Sequence, residues 1–170
     1  MAKSMLIAMI LAATAGVAIA APSVDGKVAA GEYPDSAKVM GGGAALYWAW
    51  DASGGLSVAF SLKNGGWLAV GLGSKYMDES YLFMGAADGA GNQSFIEQTG
   101  AGHRHSDSAA RRADASAVNS SNGVMTLEFH VPAARLPKSG KTLPFIVACS
   151  SSPSFSSKHR DFDVGTIPAP

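Results

Sequence analysis

The chain has 170 residues, a formal net charge of zero and only 15% charged residues. That balance lacks the clustered basic face a nucleic-acid-binding protein needs, since Arg104, Arg111 and Arg112 are diluted by Asp107 and Asp114. One cysteine, Cys149, excludes an internal disulfide and leaves packing to hold the fold.

Residues 1–20 carry Lys3, an apolar run over 5–19, and Ala18-Ile19-Ala20 ahead of Ala21. This is the pattern of a secretory signal peptide, with cleavage expected between Ala20 and Ala21. Residues 21–170 are then expected to form one exported domain, periplasmic or extracellular, of about 150 residues, enough for a proper core. No run in this mature chain approaches the length of a transmembrane segment.

Val24-Asp25-Gly26 and Gly31-Glu32-Tyr33-Pro34 read as an irregular lead-in with turns. Gly41-Gly42-Gly43 then breaks the chain before a strand over 45–51, where Leu46, Trp48 and Trp50 share a face. Ala52-Ser53-Gly54-Gly55 forms a hairpin loop into 56–62, with Leu56, Val58, Phe60 and Leu62 opposed to Ser57, Ala59 and Ser61. Asn64-Gly65 is the next hairpin signal. Segments 67–72 and 81–86 read as apolar strands around a polar connection, 73–80, and 94–99 reads as a further short strand.

Residues 100–120 are polar and small with no period-two alternation, which predicts a long surface loop or a short helix over 108–117. After Asn122-Gly123, Met125, Leu127, Phe129 and Val131 form one face of a strand, and Thr126, Glu128 and His130 the other. The unbroken apolar run 145–149 predicts a central strand with Cys149 as a buried thiol and Pro144 at its start. A serine-rich loop, 150–157, leads to a last strand over 161–167. About eight short strands, no helical periodicity and no repeat predict an all-β fold: an antiparallel, immunoglobulin-like β-sandwich in a single domain. Trp48 and Trp50 are read as packing residues.

The sequence holds no G-x-S-x-G, H-E-x-x-H or P-loop motif, so it is read as a non-enzyme. It also lacks C-x-x-C-H, which excludes covalent haem attachment through that motif. Of its four histidines, His130 beside Glu128 reads as solvated. His103 and His105, with Asp107 close by, suit chelation of zinc or copper. His159, between Lys158 and Arg160, alone reads as a surface residue. Met77 stands among Lys75, Tyr76, Asp78 and Glu79, where a thioether either folds back over the sheet edge or acts as a soft ligand. Taken together, Met77 and His159 are the residue types of an axial pair for electron-transfer haem. Lys158, Arg160 or the Arg104, Arg111 and Arg112 group would supply cations for haem propionates.

Val24-Asp25-Gly26, Gly31-Glu32-Tyr33, the run from Gly66-Trp67 to Leu72-Gly73, Met77, Leu82-Phe83-Met84-Gly85 and Asp88-Gly89 follow one another in an order that resembles DOMON domains. The resemblance covers nearly the whole mature chain and is to the haem-binding, cytochrome-like branch. It implies a β-sandwich with non-covalent b-type haem between a methionine and a histidine. Met77 falls in the loop after the Gly-Trp strand, as the family's methionine does, and His159 near the C-terminal end, as its histidine does. Trp67 belongs to the Gly-Trp motif, and Lys158 and Arg160 flank the histidine. Some relatives use lysine in the histidine's place, and Lys158 stands next door. The family often has a glycine soon after the histidine; here residues 160–164 intervene before Gly165.

The function implied is electron transfer to a redox partner protein, such as a membrane cytochrome encoded elsewhere, by a six-coordinate carrier with no open position for substrate. Two alternatives stand beside it. One is a sandwich binding sugar or another small ligand on an aromatic face using Trp48, Trp50 or Trp67. The other is a copper or zinc protein using His103 and His105.

Overall fold

A computed structural model describes residues 21–63, 66–88 and 90–170. The expected signal peptide and the Asn64-Gly65 turn lie outside the described residues. Eleven strands are present among the described residues, with two short 3₁₀ turns and no α-helix. They are β1 (Asp35–Val39), β2 (Ala44–Trp50), β3 (Leu56–Lys63), β4 (Gly66–Leu72), β5 (Tyr81–Ala87) and β6 (Gln93–Ala101), then β7 (Arg104–Asp107), β8 (Ala115–Ser121), β9 (Val124–Val131), β10 (Thr142–Ser150) and β11 (Asp161–Pro168). No helix among the described residues is long and apolar enough to cross a membrane.

The strands form two antiparallel sheets in an immunoglobulin-like sandwich, ordered β1-β2-β3-β9-β8 and β11-β10-β4-β5-β6-β7. Alternation puts Leu46, Val58, Phe60, Leu127 and Phe129 of the first sheet against Leu68, Val70, Phe83 and Val147 of the second. Phe83 and Phe129 stack across this core with ring centroids 4.1 Å apart. Burial of each such side chain is worth about 1.5–3 kcal/mol, so this layer holds the sandwich together. Trp48 lies in the same core, and the half-buried Trp50 donates its indole N–H to the Pro168 carbonyl at 2.9 Å. As expected, β10 is an interior strand, and Cys149 is free and buried on its inner face.

Residues 100–120 are neither one long loop nor a helix: they contain the end of β6, all of β7 and most of β8. Both β7 and β8 are edge strands, each with a single neighbour. An edge strand needs little apolar burial and gains from polar side chains, so period-two alternation is missing there. The edge strand β1 has the same character and was not expected either. His130 is not solvated: its Nδ1 meets Asp114 at 2.7 Å and its Nε2 meets Asp51 at 3.0 Å. Glu128 on the same face is fully buried beneath the lead-in segment, where it accepts hydrogen bonds from the Tyr33 hydroxyl and the Asp25 and Gly26 amides.

Candidate cofactor site

β4 and β5 are apolar on both faces. Inward lie Leu68, Val70, Leu72 and Phe83; outward lie Trp67, Ala69, Leu82, Met84 and Ala86, a second buried cluster outside the sandwich core. Met77, Ile96, Ala148 and Phe155 pack against this outer cluster. Over it opens a cavity of about 940 Å³, near the upper end of the usual range for small-molecule and cofactor sites.

The floor is made of small residues. Ala69, Gly71 and Ala148 face the cavity, so a flat group could approach the sheet closely. A Cβ at Gly71 would come within 2.7 Å of Ile146 and 2.9 Å of Leu82. The rim is apolar as well: Tyr76, Phe162 and Val164 are three of the four exposed large hydrophobic residues among the described residues, and all line the opening. Tyr76 is 76% exposed, a costly position for an aromatic ring with nothing over it.

Two loops bring the expected ligand residues to this cavity. The loop after β4 is tied to the β6–β7 hairpin: the Glu79 amide donates to the Gly100 carbonyl, the Gly100 amide to the Ser80 carbonyl, and the Gly102 amide to Asp78 at 2.7 Å. A Cβ at Gly100 would overlap the Met77 carbonyl oxygen, so only glycine lets the loop lie this close. The Ser80 hydroxyl also bonds the Tyr76 carbonyl, closing the loop on itself. Met77 lines the cavity from there.

The loop after β10 is held by its serines. Ser157 Oγ accepts from Trp67 Nε1 at 2.8 Å and donates to the Ser154 carbonyl, and the Arg160 amide donates to the Cys149 carbonyl at 2.7 Å. Lys158 and His159 line the cavity from this loop, and the His159 ring meets Phe162 edge-on at 5.4 Å. Met77 and His159, distant in sequence, thus face one apolar space from two loops.

Trp67 lies in the outer cluster and not in the sandwich core; it lines the cavity and anchors the loop carrying His159. His103 and His105 line the same cavity. Among the described residues, no group of three or more His, Cys, Asp or Glu side chains is placed to hold a metal ion. Arg160 is not part of the cavity wall, and its guanidinium reaches Cys149 Sγ at 3.7 Å. The Arg104, Arg111 and Arg112 group is absent from the wall too. Arg111 pairs with Glu97 at 3.7 Å, and Arg112 lies 3.2 Å over the Tyr81 ring. The cations facing the cavity are therefore Lys75 and Lys158. The tryptophans do not share a face, since Trp48 is in the core between the sheets and Trp67 is outside it.

Sequence reasoning missed the small floor and the apolar rim. The outward series Trp67, Ala69, Gly71, beside the inward series Leu68, Val70, Leu72, was a readable sign of a strand buried on both faces.

These features define an all-β sandwich with a cofactor-sized apolar cavity on the outer face of one sheet. No family model matches the chain, and no curated protein matches it. Its fold is similar to the solved cytochrome b domain of pyranose dehydrogenase from Coprinopsis cinerea, with a TM-score of 0.60 and 13% identity over 78% of this chain and 80% of that one. It is also similar to the cytochrome domain of cellobiose dehydrogenase from Myriococcum thermophilum, with a TM-score of 0.51 and 15% identity over 75% of each chain. At these identities the likeness concerns the fold.

Proposed function

We propose that this chain is an exported, haem b-binding electron-transfer domain of the DOMON kind, with Met77 and His159 as the axial ligands of the iron. The observation that carries this reading is the placement of both residues on one apolar cavity. The chemistry of the wall fits the group: a thioether, an imidazole, a small-residue floor and aromatic edges. The two cytochrome domains of similar fold support it as well.

A bound haem b supplies one-electron chemistry at the iron. Met77 and His159 would hold it from the two loops, and the thioether would keep its potential high. Trp67, Leu82, Met84 and Ile146 line the cavity and would exclude water from it, while Lys158 and Lys75 would be available to its carboxylates. Held by both residues, the iron would keep no open position for substrate, which suits a carrier rather than an enzyme. Tyr76 and Phe162, exposed at the rim, suit contact with a redox partner protein.

The test is absorption spectroscopy of the protein loaded with haem b, oxidised and reduced. A Soret band with sharp low-spin bands on reduction is expected. Met77→Ala should abolish the sulfur-to-iron charge-transfer band and lower the potential, and His159→Ala should abolish the low-spin spectrum. Persistence of the low-spin spectrum in His159→Ala would make Lys158 the next ligand to test. A protein that takes up no haem overturns the reading.

A further inference from the structure

We propose that His105 is a second imidazole for the iron at the Met77 end of the cavity, able to take the place of the Met77 thioether. This rests on the haem reading above.

The placement follows from register. Gln98 pairs with the cavity-lining Leu82 across β5 and β6, and β7 sets His105 opposite Gly100 and Asp107 opposite Gln98. Alternation therefore puts Gln98, Gly100, His105 and Asp107 on the cavity face of the sheet. Gly100 is also the residue on which Met77 rests, with the Met77 Cγ only 3.3 Å from where a Cβ would stand. Met77 and His105 are thus neighbours across one glycine, and both line the cavity.

The hydrogen bonds then fix which ring nitrogen is free. Gln98 Nε2 donates to Asp107 Oδ1 at 3.0 Å. A carboxylate only accepts, so the amide cannot be turned round, and its oxygen faces His105 Nδ1. That oxygen only accepts in turn, so Nδ1 is the donor and Nε2 is the nitrogen left to face a ligand. Nε2 has no hydrogen-bond partner among the described residues. An imidazole that donates Nδ1–H to a fixed oxygen and presents Nε2 is the arrangement metal-bound histidines use. Among the described residues His103 has no such orienting bond, and both nitrogens of His130 are engaged by carboxylates.

With haem bound, the exchange would replace the Met77 sulfur by His105 Nε2 as the ligand at that end of the cavity. One iron–ligand bond would be exchanged for another, with no electron transferred. The harder imidazole favours ferric iron and the softer thioether favours ferrous iron, so the exchange lowers the potential.

The experiment is the spin state of haem-loaded Met77→Ala and of Met77→Ala/His105→Ala, by absorption and electron paramagnetic resonance. The single variant is expected to stay low-spin with the signature of two imidazoles, and the double variant to become high-spin. Free imidazole should return the double variant to low spin, which separates a missing ligand from a collapsed cavity. A high-spin single variant, or a low-spin double variant without added imidazole, overturns the proposal while leaving haem binding standing. Failure of the unaltered protein to take up haem overturns the proposed function and this inference together.

Discussion

Glu128 holds a carboxylate on the outer face of the five-stranded sheet, fully buried under the lead-in segment. Burial raises its pKa above the ordinary glutamate value, against the pull of three hydrogen bonds that favour the charged form. Those bonds run from the Tyr33 hydroxyl at 2.5 Å, the Gly26 amide at 2.8 Å and the Asp25 amide at 2.9 Å, so one side chain fastens the segment to the sheet. Glu128→Ala would leave these donors without an acceptor, at about 1–3 kcal/mol for each group that stays buried. The expected result is a lower urea midpoint, corresponding to a stability loss of at least about 1–3 kcal/mol, with Glu128→Gln milder because one oxygen still accepts. An unchanged midpoint in Glu128→Ala would show that the segment does not depend on it. Alternation along β9 made the orientation of Glu128 legible in the sequence. Its burial was not, because the cover comes from residues about a hundred positions earlier.

At the level of elements, strands flanked by neighbours on both sides were readable, whereas of the edge strands only β11 was. β3, β4, β5, β9 and β10 each bury at least one face, so their apolar residues fall at a spacing of two or without a break. β1, β7 and β8 gain order from backbone pairing with one neighbour, a force that leaves no mark on side-chain pattern. His130 shows how such an edge is fastened: it links β9 to Asp51 in the turn after β2 and to Asp114 just before β8. Burial opposes its protonation, but the bonds to Asp114 and Asp51 prevail and hold its pKa above 6.5. Hydrogen bonds hold both aspartates below their ordinary 3.8, Asp51 through Ser53 first and Asp114 through His130 first. The raised histidine contributes stability that is complete below 6.5 and lost as pH rises through its folded value. The lowered carboxylates contribute stability present above 3.8 and lost as pH falls through their folded values. The clamp is therefore strongest between about pH 4 and 6.5. Asp114 is 46% exposed, so solvent screening keeps the gain to about 1 kcal/mol or less. In denaturation series across pH, His130→Gln should flatten the fall in stability above 6.5. An identical slope in the variant would remove the clamp from the account.

The described residues form two apolar layers, of which one is enclosed between the sheets. The sandwich core lies between sheets, whereas the outer cluster around Trp67, Leu82 and Met84 is roofed only by loops and opens to a cavity of about 940 Å³. The two loops that converge there have no periodic pattern of their own. Side-chain chemistry singled out Met77 and His159 and paired them, and the family resemblance added their places in the chain, but neither predicted the cavity floor. A ligand that fills the cavity binds the folded state alone and must raise its stability by linkage. At about 1,000 times the dissociation constant the gain is about 4 kcal/mol, or about 8–16 °C in Tm for a domain of this size. Calorimetry of the haem-free and haem-loaded protein should show that shift, and His159→Ala should reduce it. Hydrogen exchange should localise it: amides of 73–80 and 151–160 should slow sharply, because those loops carry the contacts to the bound group. Amides of β1 and β8, at the edges of the opposite sheet, should follow only global unfolding. Uniform protection across both sheets, with no excess in the two loops, would place the bound group outside this cavity.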